Sequence, residues 1–536
     1  AACHQQLQQY AEAEKLLTDK LEKTKRPVFY VEIGYNYQLQ QNAAQSEKYY
    51  QKALDAVAEN SNNVYAIAAA FEQKVQIEKA LKAYDIAVSS NPKLNFDYQM
   101  ALLQGQLGNI DLMIEKLLSY SYKNPQTLPV VQNQLSRFMN EESQETFNAA
   151  LKKTLLLNAQ KNQDIFWNQF LSWFFVQQKD YGKAFIQEKA IYRRDPNSFA
   201  NIVQLALLSV EENEEETARE IFAFILENSP NDIELQREAE EQLLKMDIKK
   251  AQQKDYASIT QRINQLIEKY GTTPGTLSLQ LLKADFEAFY LKNSEAGITT
   301  LNNSLELNLN KYQKAEVKMK LSDILLLDEK FNQAIIYYAQ VEEELKNDAV
   351  AHQASLKVAK ASYFKGDFEW AQKQLKVLKS SSSQLIANDA LEIFLLITDN
   401  TVEDSTQTAL KKFAKADFKL YQNKKEEALA EFKDILANDK TQSIQDVTLL
   451  RIGRIYEGQQ QYDLALQYYQ QIIDKYAEGI YVDEALFYSA EIYNKQLNAP
   501  DKAMLLYEKV IFNHQDSIHF VEARKQFRLL RGDANS

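Results

Sequence analysis

The chain has 536 residues, a formal net charge of −12, 12 Gly, 8 Pro and a single cysteine, Cys3, which excludes internal disulfides. That length exceeds what one compact core serves, yet so few breakers leave no Gly/Ser- or Pro-rich linker between globular domains. The acidic balance argues against nucleic acid as a partner, which requires clustered Lys and Arg, and no apolar run, Phe170–Val176 (FLSWFFV) included, approaches the roughly 20 residues that span a bilayer.

Taken from the N-terminus, one pattern keeps returning. In QQYAEAEKLL, Tyr10, Ala13 and Leu17 recur at helical spacing. The block VFYVEIGYNYQLQQNAAQSEKYYQKAL carries Tyr30, Ile33, Gly34 and Tyr37, then a polar turn, then Ser46, Tyr50 and Ala53. The next block repeats it with Val64, Ile67, Ala68 and Phe71, followed by Ala80, Tyr84 and Ala87. Each block predicts two helices with one apolar stripe apiece, joined by a short turn. A small residue marks the point of closest approach. The clearest copy is Asp446–Ala477, with Leu449, Ile452, Gly453 and Tyr456 on its first helix and Ala465, Tyr469 and Ile472 on its second.

The Ala465 position serves as a marker. It recurs at Ala13, Ser46, Ala80, Met113, Ala184, Ala218, Ile259, Gly297, Ala334, Ala371, Ala428, Ala465 and Ala503. Many steps are 33 or 34 residues and several later ones 37 or 38, a fixed period with loop-sized additions. Pro92, Pro125, Pro196 and Pro230 each fall 12 residues after a marker, where proline ends the second helix. Carried to the N-terminus, the register puts Ala1 on the Gly453 position. Residues 1–5 are then expected inside the first helix of a repeat, with Cys3 a small helical residue rather than part of a lipoprotein-type cleavage box. Any targeting segment or lipid anchor is expected upstream.

The period breaks in two places. Between Met113 and Ala184 the gap is 71 residues, so a degenerate hairpin is expected at 128–159, where FMNEESQETFNAALKKTLLL supplies a stop, a polar turn and a restart. Between Ala371 and Ala428 a gap of 57 residues leaves room for an extra helix at 384–397, QLIANDALEIFLLI, after the breaker SSSS at 380–383. Glu234–Tyr270 fits the register least well, and GTTPG at Gly271–Gly275 interrupts it most clearly. A soft division into two arrays, 1–270 and 271–536, follows. EENEEE at Glu211–Glu216 reads as a solvated turn between helices.

The arrangement of large and small residues in Asp446–Ala477 resembles the tetratricopeptide repeat, whose unit is a helix pair of about 34 residues. The resemblance implies an all-α solenoid, a right-handed superhelix of about 14 hairpins whose first helices line a concave groove. The units after Asp446, with AEGIYVDEALFYSAEIY and APDKAMLLYEKVIF, resemble those of bacterial envelope proteins such as the outer-membrane assembly lipoprotein of the BAM complex and the TolA-binding periplasmic protein. The whole chain is similar to large tetratricopeptide proteins of Bacteroidota, especially flavobacteria. The segments that carry this are KRPVFYVEIGYNY, WNQFLSWFFVQQKDYGKAFIQEKAIYRR, KAEVKMKLSDILL, LKVLKSSSSQLIANDAL and EARKQFRLLRGD.

No catalytic constellation is legible. The chain has no P-loop, dinucleotide fingerprint, HExxH or G-x-S-x-G motif. His514 and His519 flank Asp516 without enough further ligands for a metal, and read as a polar loop. Catalytic residues, cofactors and metal ligands are therefore all expected to be none. An enzymatic accessory role, in glycan processing with a site near 128–159, has no residue cluster behind it. The expected function is a non-enzymatic protein–protein interaction scaffold. Its candidate concave binding surface is Tyr35, Tyr65, Tyr98 and Trp173, rings suited to holding an extended peptide or helix. Asp323, Lys360 and Arg454 occupy the corresponding first-helix positions further on. The alternative for these rings is simple filling of gaps between repeats. A Lys/Asn/Arg clamp for a peptide carboxylate is not matched by the equivalent residues. The resemblance implies a periplasmic or outer-membrane-associated setting, with envelope assembly or secretion machinery as partner and any membrane association peripheral. A cytoplasmic regulatory adaptor holding a peptide in the groove is the alternative.

Overall fold

Each recurring block folds as two helices joined by a tight turn. The computed structural model describes residues 1–139, 144–196, 199–380, 383–402, 406–439 and 442–532, and among them the chain is helical throughout, without strands. Among the described residues fourteen helix pairs follow one another, with Gln384–Val402 as an additional helix and Phe520–Arg531 as the last. All of the marker residues are buried, and each is the fourth residue of the second helix of its pair. A shared register of this kind is what a solenoid of stacked hairpins requires.

The register has a steric cause. Gly453 lies under the ring of Tyr469, so that an added Cβ would stand 2.3 Å from Cε1 of that ring. Gly34 lies under Tyr50 in the same way, at 2.6 Å. A small residue on the first helix and a tyrosine four residues past the marker form a matched pair: glycine at Gly34 and Gly453, alanine at Ala68 opposite Tyr84 and serine at Ser322 opposite Tyr338. The tyrosine hydroxyl then reaches back to a polar side chain on the first helix. Tyr50 donates to Gln38 at 2.7 Å, Tyr84 to Glu72 at 3.2 Å and Tyr469 to Glu457 at 2.7 Å, each 12 residues apart.

A second regularity lies in the turn. Five residues before the marker the backbone is left-handed: φ is 60° at Gln41, 57° at Val75, 55° at Lys179, 61° at Glu329 and 60° at Gln460, and glycine stands there at Gly108 and Gly366. One residue in this conformation reverses the chain between the helices. The unit marked by Ile259 lacks it and begins Tyr256–Tyr270 from a capping box between Gln252 and Asp255. This is the stretch that fits the sequence register least well, and a different turn chemistry explains why.

Packing divides the chain into two compact units, Ala1–Ile225 and Leu226–Ser536. In the first unit the expected degenerate pair is Leu128–Met139 with Gln144–Lys161; the polar turn between them lies outside the described residues. The proline-marked second helices end at Ser90, Lys123, Tyr192 and Asn228, just before each proline. Residues 212–214 form the exposed acidic turn between Phe199–Glu211 and Glu215–Asn228. Cys3 is exposed on a short helix, Ala2–Gln6.

The second unit contains Gly271–Gly275, where the sequence suggests a soft boundary at 270/271. There the turn is a short 3-10 helix, Pro274–Thr276, capped by Thr273. One apolar cluster joins Ile263 and Leu266 before it to Leu279 and Phe286 after it, so the core runs on through the interruption. The extra helix expected at 384–397 is present and longer, Gln384–Val402; of the serine breaker before it, residues 381–382 lie outside the described residues.

Candidate functional site

In the second unit the extra helix Gln384–Val402 does not pair as the others do. Its neighbour Thr408–Tyr421 packs back toward Lys311–Leu327: the Tyr421 hydroxyl donates to the Asp323 carbonyl at 3.2 Å and the Gln422 amide to the Leu327 carbonyl at 2.9 Å. Four first helices, Lys311–Leu327, Ala349–Lys365, Thr408–Tyr421 and Gln442–Gly458, together with the extra helix, enclose a cavity of about 900 Å³. That volume suits a drug-sized ligand or a short piece of peptide.

Its lining alternates rings and charges. Phe289, Tyr338, Tyr363, Phe364 and Tyr421 supply the rings. Lys357 holds Asp323 at 2.6 Å and Lys360 holds Asp389 at 2.9 Å. Arg451 pairs with Glu392 at 2.8 Å and stands 3.3 Å from Asp417, the latter at ion-pair distance without hydrogen-bond alignment. Asp417 in turn accepts from the buried Tyr363 hydroxyl at 3.0 Å. Burial pushes the Asp417 carboxyl above its ordinary range, while Arg451 and Tyr363 pull it back. Burial alone would lower Arg451, but Asp417 and Glu392 outweigh it and hold the guanidinium charged. Arg454 lies against the Tyr488 ring at 4.0 Å and pairs with Glu457 at 2.7 Å. Lys425 also lines the cavity, exposed at the first turn of Lys425–Asn438.

The first-helix positions Asp323, Lys360 and Arg454 thus come together around one space. Sequence reasoning missed the charged residues that join them there, Lys357, Asp389, Glu392, Asp417 and Arg451. No spacing rule points to them, because the extra helix brings in residues about 30 to 60 positions apart.

The four aromatic candidates of the first unit sit on four different first helices. Tyr35 is half-buried with the Lys74 ammonium 4.6 Å from its ring centre. Tyr65 is 59% exposed and edge-on to Phe96 at 5.5 Å. Tyr98 leans on Tyr120 at 5.7 Å. Trp173 is half-buried, edge-on to Phe170 at 5.8 Å, and lines a separate cavity of about 440 Å³. Their ring contacts are each with a different neighbour. Near the C-terminus, His519 stacks on Phe487 at 4.2 Å in the loop before the last helix, and burial lowers its pKa. Among the described residues no group of His, Cys, Asp or Glu is placed to hold a metal ion, and no helix is long and apolar enough to cross a membrane.

A family model described as tetratricopeptide repeat matches residues 448–479, within the clearest copy of the hairpin. No curated protein matches the chain. Among solved structures, the chain is 12% identical to one titled as Naa15/Naa10 bound to HypK-THB, covering 99% of this chain and 96% of that one at a TM-score of 0.29. A tetratricopeptide repeat protein from Parabacteroides merdae is 10% identical over 62% of this chain and 99% of its own, at 0.27. The APC/C hetero-tetramer Cut9-Hcn1 is 13% identical over 99% and 95%, at 0.24. These likenesses are loose, and the assignment rests on the matched unit and on the register shared by the other pairs. The chain carries a tetratricopeptide repeat at residues 448–479, set in an all-α succession of helix hairpins that share its register.

Proposed function

We propose that the chain is a non-enzymatic scaffold that binds a segment of a partner protein on its first-helix face, with the cavity of the second unit as the principal seat. The observation that carries this reading is the cavity itself, about 900 Å³ and lined by rings and by ion pairs already satisfied within the wall. Prepaired charges keep the space open without a ligand and offer polar edges to an incoming backbone, while the rings supply contact area at low entropic cost. The test is native purification of the tagged chain beside an Ile393→Asp, Leu396→Asp variant. A partner retained by the wild type and lost by the variant, with helicity unchanged, supports the seat. Equal recovery with both sinks it. In the first unit, Tyr65→Ala with Trp173→Ala weakens partner capture at unchanged helicity if the rings bind; lost helicity assigns them to packing.

The setting proposed is the bacterial envelope, periplasmic or peripheral to the outer membrane through partners, by the resemblance of the last units to envelope tetratricopeptide proteins. Fractionation of native cells checks it: recovery in the cytosol alone rejects the envelope in favour of a cytoplasmic adaptor.

A further inference from the structure

Four residues past the marker, the second helix buries a ring or a branched aliphatic chain. Tyr50, Tyr84, Tyr338, Phe432, Tyr469 and Tyr507 are examples, and the other units carry Leu, Ile or Phe there. One unit departs. After Ala184 the residue is Glu188, which is only 5% exposed. The first-helix position opposite, glycine at Gly34 and Gly453, is here Ser172, whose hydroxyl donates to Glu188 Oε1. The other oxygen, Oε2, is buried without a hydrogen-bond partner. The space an aromatic ring fills elsewhere is the floor of the cavity of about 440 Å³ that Trp173 lines.

Among the described residues the rest of that lining is neutral: Gln132, Gln169, Asn201 and Gln204 lie around the carboxylate, and Glu188 is the one charged residue. The three exposed amides, Gln169, Asn201 and Gln204, stand at the mouth. Burial pushes the Glu188 carboxyl up, while Ser172 and Asn201 favour its ionised form. A buried carboxylate oxygen without a donor is costly, and nothing in the packing of this hairpin requires an acid where its counterparts carry rings and branched chains.

We propose that this cavity of the first unit binds a side-chain cation, the head of an arginine or lysine presented by a partner segment, with Glu188 as its counter-ion and the Trp173 ring as its platform. A guanidinium or ammonium supplies the donor that Oε2 lacks, the amide oxygens take its remaining N–H groups, and the indole face attracts it further. Only the source of the cation rests on the partner-binding reading above. The probes below address Glu188 directly, so their failure leaves the cavity of the second unit untouched.

The experiment uses the full chain labelled with 5-fluorotryptophan, whose Trp173 signal is assigned with Trp173→Phe and followed by fluorine NMR. Acetyl-arginine methylamide and acetyl-lysine methylamide are expected to shift that signal saturably at millimolar concentration. The neutral isostere acetyl-citrulline methylamide is expected to leave it in place. Glu188→Gln is expected to weaken both cations at least tenfold, with the Trp167 and Trp370 signals unchanged as proof of fold. Equal binding of citrulline and arginine, equal binding by Glu188→Gln, or no saturable shift at Trp173 each overturn the site. Spermidine binding more tightly than either amide overturns the assignment to a partner side chain.

Discussion

The two first-helix cavities are built on the same hairpins and solve the burial of charge in opposite ways. In the second unit, Asp323, Asp389, Glu392 and Asp417 each meet a lysine or arginine within the wall. In the first unit, Glu188 meets no cation, only the Ser172 hydroxyl and the neighbouring Asn201 amide, and Oε2 is left without a hydrogen bond. A cavity whose acids are each paired within the wall selects chiefly by shape. A cavity with one unmatched charge selects by sign. The difference traces to one helix, Gln384–Val402, which has no counterpart among the described residues of the first unit and brings Asp389 and Glu392 against Lys360 and Arg451.

The largest expected effect breaks that contrast from the paired side. Arg451→Met leaves Asp417 and Glu392 without their cation in a recessed site where Arg451 keeps 27% of its side-chain surface, and is expected to cost about 3 kcal/mol of stability. Joining it to Asp417→Leu should recover most of the loss. Denaturant unfolding of the single and double variants reads both; a single variant as stable as the wild type removes the ion-pair wall from the account.

A second test concerns Asp446, buried beside Gly479 and accepting from the Val447 N–H at 2.6 Å. Burial pushes its carboxyl up to about 6 from 3.8. The folded state therefore binds the proton more tightly than the unfolded one. The stability this provides is complete below about pH 4 and is lost as pH rises through 6, a swing of about 3 kcal/mol. Asp446→Asn should flatten that part of the pH–stability profile and be the more stable protein at pH 7; parallel profiles would contradict it.

Glu188→Gln sharpens the comparison by sign. Its folded carboxyl is also raised by burial, so the free protein should gain stability from the substitution at neutral pH and nothing in acid, the reverse of Arg451→Met. Thermal unfolding at two pH values separates the two behaviours.

A smaller effect belongs to the turns of both units. Val75 holds φ at 57°, which a β-branched residue adopts at a cost, and Val75→Asn is expected to raise stability by about 1 kcal/mol, measured by chemical denaturation. The smallest belongs to Tyr65→Ala alone. That side chain is mostly exposed, and its loss should change stability by no more than about 0.5 kcal/mol.

Much of the architecture was legible before any coordinates. The marker positions, the prolines closing the second helices, the degenerate pair at 128–159 and the extra helix near 384–397 all follow from spacing, because packing between neighbouring helices leaves a local and periodic trace. The departure at Glu188 went unread, although it stands in the sequence as an acid four residues past the marker, where the other units carry rings and branched chains. The left-handed turn residue was less legible. Glycine and asparagine mark it at Gly108, Gly366, Asn213, Asn423 and Asn498, but Gln41, Val75, Lys179 and Glu329 share the backbone angle without any common side-chain chemistry, so composition signals it only in part.

By itself, then, the sequence determined the helices, their pairing and their repeat, since each depends on residues fewer than about 40 positions apart. Tertiary structure alone decided what faces the cavities. Arg451 meets Glu392 across 59 positions and Tyr421 reaches Asp323 across 98. Those contacts depend on how an unpaired helix displaces its neighbours, and no local period records that displacement.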